Sequence, residues 1–139
     1  MTYAVQQDLI DRFGAEELAQ LTDRDQALVI DTDVLGRALA DADAEIDGYL
    51  AARYSLPLAS APAVLVRVAS DIARYRLWAD RASEAVRKRY EDAVRDLKAM
   101  SSGSIVIDGA VALAPAARSM TVTQRSPDAQ FGSSTLASY

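Results

Sequence analysis

The sequence predicts an all-α chain: a bundle of about four helices followed by an extended C-terminal arm containing short β-type segments. Three observations carry that prediction. Apolar residues recur at helical spacing between residues 32 and 100, alanine fills many of the intervals between them, and residues 104–139 turn to a Ser/Thr/Gln/Pro-rich composition with single hydrophobes. The composition divides the chain into a helical domain, 1–102, and an arm, 103–139. At 139 residues one core is expected, and a chain of this size buries roughly two-thirds of the surface it exposes when unfolded.

In chain order, Thr2 is placed to cap a short helix running through Val5, Leu9, Ile10 and Phe13, with Gly14 as its stop. Glu16 to Leu21 adds one or two further turns. A polar connection follows, and Asp31 or Thr32 caps a long helix with Leu35, Leu39, Ala42, Ile46, Tyr49, Leu50 and the stem of Arg53 on one stripe. Gly36 and Gly48 lie inside it, where glycine costs up to about 1 kcal/mol relative to alanine and marks a candidate close crossing.

Two prolines break the chain between Ser55 and Pro62, a segment apolar enough to be pinned against the body. Pro62 suits the first turn of a central helix carrying Leu65, Val68, Ile72 and Tyr75, with Val64, Ala69 and Trp78 widening the stripe. Ser83, followed by Glu84, reads as an N-cap with an acid in the first turn. The helix it opens places Val86, Tyr90, Ala93, Val94, Leu97 and Met100 on one face, pairs Glu84 with Lys88 and Glu91 with Arg95, and ends at Ser101-Ser-Gly103. Beyond it, Ser104 to Ile107 is a short β-type run, Asp108-Gly109 a turn, and Ala110 to Pro115 a weakly apolar stretch. The segment from Ser119 to Tyr139 cannot build a core of its own, so its order is expected to come from a partner.

Composition excludes most catalytic templates. The chain has no His and no Cys, so a Ser-His-Asp triad, a Cys-His pair, a zinc finger and an HExxH site are all impossible. The acidic N-terminal stretch has neither the basic start nor the apolar run of a signal peptide, and no run approaches the roughly 18 apolar residues of a spanning helix. A soluble protein made in the cytoplasm is expected. Asp23-x-Asp25 and Asp31-x-Asp33 resemble the opening of a calcium loop, but the required Gly and Glu positions hold Leu28 and Val34 in one register, and Ala42 replaces the Glu in the other. These acids read instead as turn and cap residues. No cofactor or metal is expected.

Charge is blocked along the chain. Residues 1–50 hold twelve acids and three bases, 51–100 hold ten bases and six acids, and the remainder balances at two and two, for an overall charge of −5. Asp41, Asp43, Glu45 and Asp47 crowd one helix; Arg81, Arg87, Lys88 and Arg89 form the basic counterpart. Such charges usually cover solvated helix faces, and the same distribution favours head-to-tail association of copies. A carboxylate-dependent hydrolase would need two acids with separated pKa values across a cleft, and nothing singles out a pair. A nucleic-acid binder would use the Arg81 to Arg89 cluster, but the chain is acidic and carries no Gly-rich loop or RNA-binding aromatic motif.

Several segments occur together in an order that resembles a known family. They are Tyr3-Ala-Val-Gln-Gln-Asp-Leu-Ile-Asp-Arg-Phe-Gly14; Glu17-Leu followed by Leu21-Thr-Asp-Arg24; Ala44-Glu-Ile-Asp-Gly-Tyr-Leu50; Arg53-Tyr-Ser-Leu-Pro-Leu58; Asp71-Ile-Ala-Arg-Tyr-Arg-Leu77; and Val86-Arg-Lys-Arg-Tyr-Glu-Asp-Ala93. Over residues 1–100 the chain resembles the small head-tail connector proteins of Mu-like and related siphophages and prophages. No single motif would suffice, and the tail after Gly103 departs from the pattern. The resemblance implies a non-enzymatic virion protein in the head-tail neck, assembled in the host cytoplasm. It implies a homo-oligomeric ring, commonly a dodecamer, beneath the portal protein and bound to the next connector or tail terminator. Packaged DNA would pass through without sequence-specific binding, and no membrane is involved.

Under that reading Asp41, Asp43, Glu45 and Asp47 supply a lumen or inter-subunit acidic face, while Arg81, Arg87, Lys88 and Arg89 supply the inter-subunit basic face. Ile105, Val106, Ile107, Phe131, Leu136 and Tyr139 form the arm that docks on the portal or a neighbour. The alternative is a cytoplasmic helical adaptor or regulatory module unconnected with virions.

Overall fold

A computed structural model of the chain describes residues 1–23, 26 and 28–113. Among the described residues five α-helices form where the apolar period predicts them, two of them opened by a side-chain cap: α1 (Gln6–Phe13), α2 (Ala15–Thr22), α3 (Thr32–Leu50), α4 (Ala63–Trp78) and α5 (Glu84–Ser102). A single 3₁₀ turn, Ala79–Arg81, joins α4 to α5. Gly14 separates α1 from α2 at φ 89°, a backbone that an L side chain rarely adopts. Asp31 caps α3 by accepting from the N–H groups of Asp33 (3.0 Å) and Val34 (3.2 Å), and Ser83 caps α5 by accepting from that of Val86 (3.3 Å). Thr2 caps nothing: Tyr3 and Ala4 are buried, α1 begins at Gln6, and its start is fixed by Val5 N–H donating to Asp8 Oδ2 at 2.8 Å.

The three long helices run up, down and up. Arg67, in the first turns of α4, reaches Asp96 late in α5, while Val34 and Ala38 of α3 lie beside Leu77 and Ala79 at the other end of α4. α4 is therefore antiparallel to both neighbours, and its Leu65, Val68, Ala69, Ile72 and Ala73 are fully buried between them. Leu35, Leu39 and Ile46 meet that stripe from α3, and Ala93, Leu97 and Met100 from α5. The short α1 and α2 pack across α4 and α3, burying Leu9 and Leu18. At about 25 cal/mol per Å² of apolar area, each of these large side chains contributes roughly 1.5–3 kcal/mol. Tyr90 and Val94, expected in the core, are half-buried at its edge.

Four expectations are corrected. The run Ser104–Ile107 forms no strand. Among the described residues the β contribution is one isolated antiparallel bridge, Tyr54 with Ala112, flanked by Ser55 N–H to Val111 O and Leu113 N–H to Arg53 O, both 2.8 Å. The receiving edge is only the few residues between the end of α3 and Pro57, too short for a ladder. Ile107 is not part of a docking arm: it is 3% exposed, lies in the main core cluster, and its N–H donates to the Tyr54 hydroxyl at 3.3 Å. The core thus reaches Ile107, and backbone hydrogen bonds tie the chain to the body as far as Leu113.

Gly36 and Gly48 mark no close crossing, since a Cβ at either would meet open space. The glycine that does mark a close approach is Gly103, left-handed at φ 86°, where a Cβ would collide with the Arg53 guanidinium. On α5, Arg95 pairs with Asp92 (3.0 Å) and Asp96 (3.6 Å) rather than with Glu91.

Candidate functional site

The charged residues of the N-terminal half divide into those bound within the bundle and those left on its surface. Asp43 accepts from the Tyr3 N–H at 2.9 Å and Asp47 from the Tyr3 hydroxyl at 2.5 Å, so two acids of α3 pin the N-terminal strand of chain to the body. Burial is the first cause that raises the Tyr3 phenol, with the Asp47 hydrogen bond next; burial also raises the Asp43 carboxyl. Glu45 binds Arg76 (3.0 Å) and the Tyr90 hydroxyl (2.9 Å), and the Tyr90 ring stacks on Tyr75 with centroids 4.1 Å apart. Burial pushes the Tyr90 phenol up to about 12, helped by the Glu45 hydrogen bond. Of the four acids expected to line a lumen or subunit boundary, three therefore hold their own chain together. Asp41 is exposed.

The basic set behaves differently. Arg81, Arg87, Lys88 and Arg89 are all exposed, and Arg89 faces a cleft of about 380 Å³ walled by α1, α4 and α5. Arg12 and Phe13 line one side of this cleft, Arg67 and Asp71 its floor, Arg89 and Asp92 the other side. Asp71 is buried, with Arg67 at 3.5 Å. Burial raises its carboxyl, and Arg67, Arg89, Arg12 and Arg74, in that order, pull it back. Arg74 beside the cleft is held bidentately by Glu17 (2.6 and 3.1 Å) and lies 4.3 Å over the Phe13 ring. Sequence reading missed Arg12, Arg67 and Asp71 as a group, because two helices far apart in the chain, α1 and α4, bring them together; the only local signal was Asp71 standing among the apolar residues of α4.

The expected arm is only partly described. Ile105 is 36% and Val106 76% exposed, and Val111 and Leu113 are exposed beside them. Phe131, Leu136 and Tyr139 lie outside the described residues. Among the described residues no cluster of three or more Asp and Glu side chains could hold a metal ion, and no helix is long and apolar enough to cross a membrane.

Fold and surface define a small all-α protein whose prominent charged groups tie helices together or lie open on the outside, and comparison with known proteins places it among phage proteins. The chain belongs to the bacteriophage Mu Gp36 family, whose model it matches over residues 3–124. It is 42% identical over 103 residues to the Mu-like prophage FluMu protein gp36 of Haemophilus influenzae, covering 74% of this chain and 73% of that one. It is also 34% identical over 130 residues to gene product J of Escherichia phage Mu, covering 91% and 92%. The family match thus runs past Gly103, where the sequence motifs stopped, and takes in the turn and the bridge to Tyr54.

Proposed function

We propose that the chain is a head-tail connector subunit, a structural virion protein that forms a ring beneath the portal and joins the DNA-filled head to the tail. Membership of the Mu Gp36 family over residues 3–124 is the observation that carries this reading. The bundle supports it: Glu17–Arg74 and Glu45–Arg76 lock the acidic half to the basic half, and Arg67–Asp96 ties α4 to α5, a rigid frame suited to adhesion. The function is geometric rather than enzymatic. The ring, a dodecamer by likeness to the wider connector class, places portal protein on one side and the next connector or tail terminator on the other.

The anchor to the portal is assigned to the segment after Leu113, with Phe131, Leu136 and Tyr139 as its apolar contacts, supported at its root by the exposed Val106, Val111 and Leu113. Co-sedimentation with isolated portal rings and emptied virions tests this, using the full chain and a version ending at Leu113. Binding by the full chain alone assigns the anchor to the terminal segment, and binding by both assigns it to the helical body. No binding by either, together with absence from virions, replaces the connector by a cytoplasmic helical adaptor.

A further inference from the structure

The cleft between α1, α4 and α5 is a built site. Asp71, with its side chain 9% exposed, sits at its floor and makes one ion pair, at 3.5 Å, to Arg67, which is itself held at 2.6 Å by Asp96. Asp92 on the rim is paired with Arg95. Arg12 and Arg89 converge on the same space and make no ion pair within 4 Å among the described residues. Three guanidinium groups against two carboxylates leave the cleft with one net positive charge, and the exposed Arg12 and Arg89 flank the buried Asp71.

A complementary stripe lies on the other side of the molecule. On α3, Asp33, Arg37 and Asp41 follow one another at i, i+4, all exposed, and neither acid has an ion-pair partner within 4 Å among the described residues. The next position on that stripe, Glu45, binds Arg76. At about 100° per residue, Arg76 stands on the side of α4 opposite to Arg67 and Asp71. The basic-acidic-basic cleft and the acidic-basic-acidic stripe therefore face away from each other across the bundle.

We infer that the Arg12/Arg67/Arg89 cleft receives the Asp33–Asp41 stripe of a second copy of this chain. Two different patches of one subunit meeting in this way make a heterologous contact, which propagates around a closed ring. The inference rests on the connector reading for its setting and names the lateral contact within that ring. The chain's net charge of −5 and the two carboxylates in the cleft disfavour the phosphates of duplex DNA as the occupant.

A charge-swap experiment on the full-length chain tests it, read by sedimentation velocity alone and on isolated portal rings. R12E/R89E and D33R/D41R are each expected to weaken self-association about tenfold or more. Mixing the two restores it, because both interfaces of the alternating assembly are then complementary. If the glutamates prevent folding, R12Q/R89Q is read by its weakened self-association alone, since a neutral cleft is not rescued by mixing. Unchanged association in either variant, no rescue on mixing, loss of duplex-DNA binding in place of self-association, or a wild-type chain that stays monomeric in both settings overturns the inference. Failure of the connector reading shows separately, as absence of the chain from virions whatever its self-association.

Discussion

Ala79 closes α4 at φ 49° and ψ −130°, a conformation that glycine enters freely and alanine only under strain. Ala79→Gly is expected to raise unfolding stability by about 1 kcal/mol, measured by urea denaturation, since the helix has already ended there and loses no propensity. A drop in stability would mean that the alanine methyl packs where the backbone places it. Asp71 gives a second expectation at this scale. Its carboxyl is raised in the folded chain, so only between the ordinary value and the raised one does the native state keep a proton that the unfolded state has released. The associated stability is fully present below the ordinary value of 3.8 and is lost as pH rises through the elevated folded value. Melting wild type and Asp71→Asn in parallel from pH 7 down to pH 3.5 should therefore show wild type gaining on the variant as pH falls; a constant difference would contradict it.

Single residues were legible where their partners are local. Asp31 and Ser83 cap helices whose N–H groups lie two or three positions on. Tyr3 was not, because it is held by Asp43 and Asp47, forty or more positions away, and nothing around Tyr3 announces them.

At the level of elements, the long helices were readable because a 3.6-residue apolar period is dictated by the same burial that stabilises them. The segment after α5 was misread for the converse reason. Ile105, Val106 and Ile107 have strand propensity, but Ile107 fills space between Tyr54 and the bundle, a fit that only the tertiary structure defines. A chain ending at Leu113 keeps Ile107 and the Tyr54 bridge. A chain ending at Gly103 loses Ile107 and the Tyr54 bridge and should be less stable by about 2–5 kcal/mol, the usual cost of emptying a large aliphatic site. Equal melting of the two truncations would remove Ile107 from the core.

For the whole molecule, the charge blocks of the sequence were real, but their use was only half visible. Counting acids on α3 cannot distinguish Asp43, Glu45 and Asp47, which are consumed by Tyr3, Arg76 and Tyr90, from Asp41, which stays on the surface. The arginine cleft was invisible for the same reason, since α1, α4 and α5 contribute two residues each. What the sequence did carry was the order of motifs now accounted for by membership of the Mu Gp36 family.

Connector function is tested most directly by electron microscopy of particles made by a phage in which this chain is replaced by a nonsense allele, with and without complementation. The expected result is DNA-filled heads and complete tails that fail to join, with joining restored by the wild-type chain and the chain located in the neck. Joined, infectious particles formed in its absence would contradict the connector assignment.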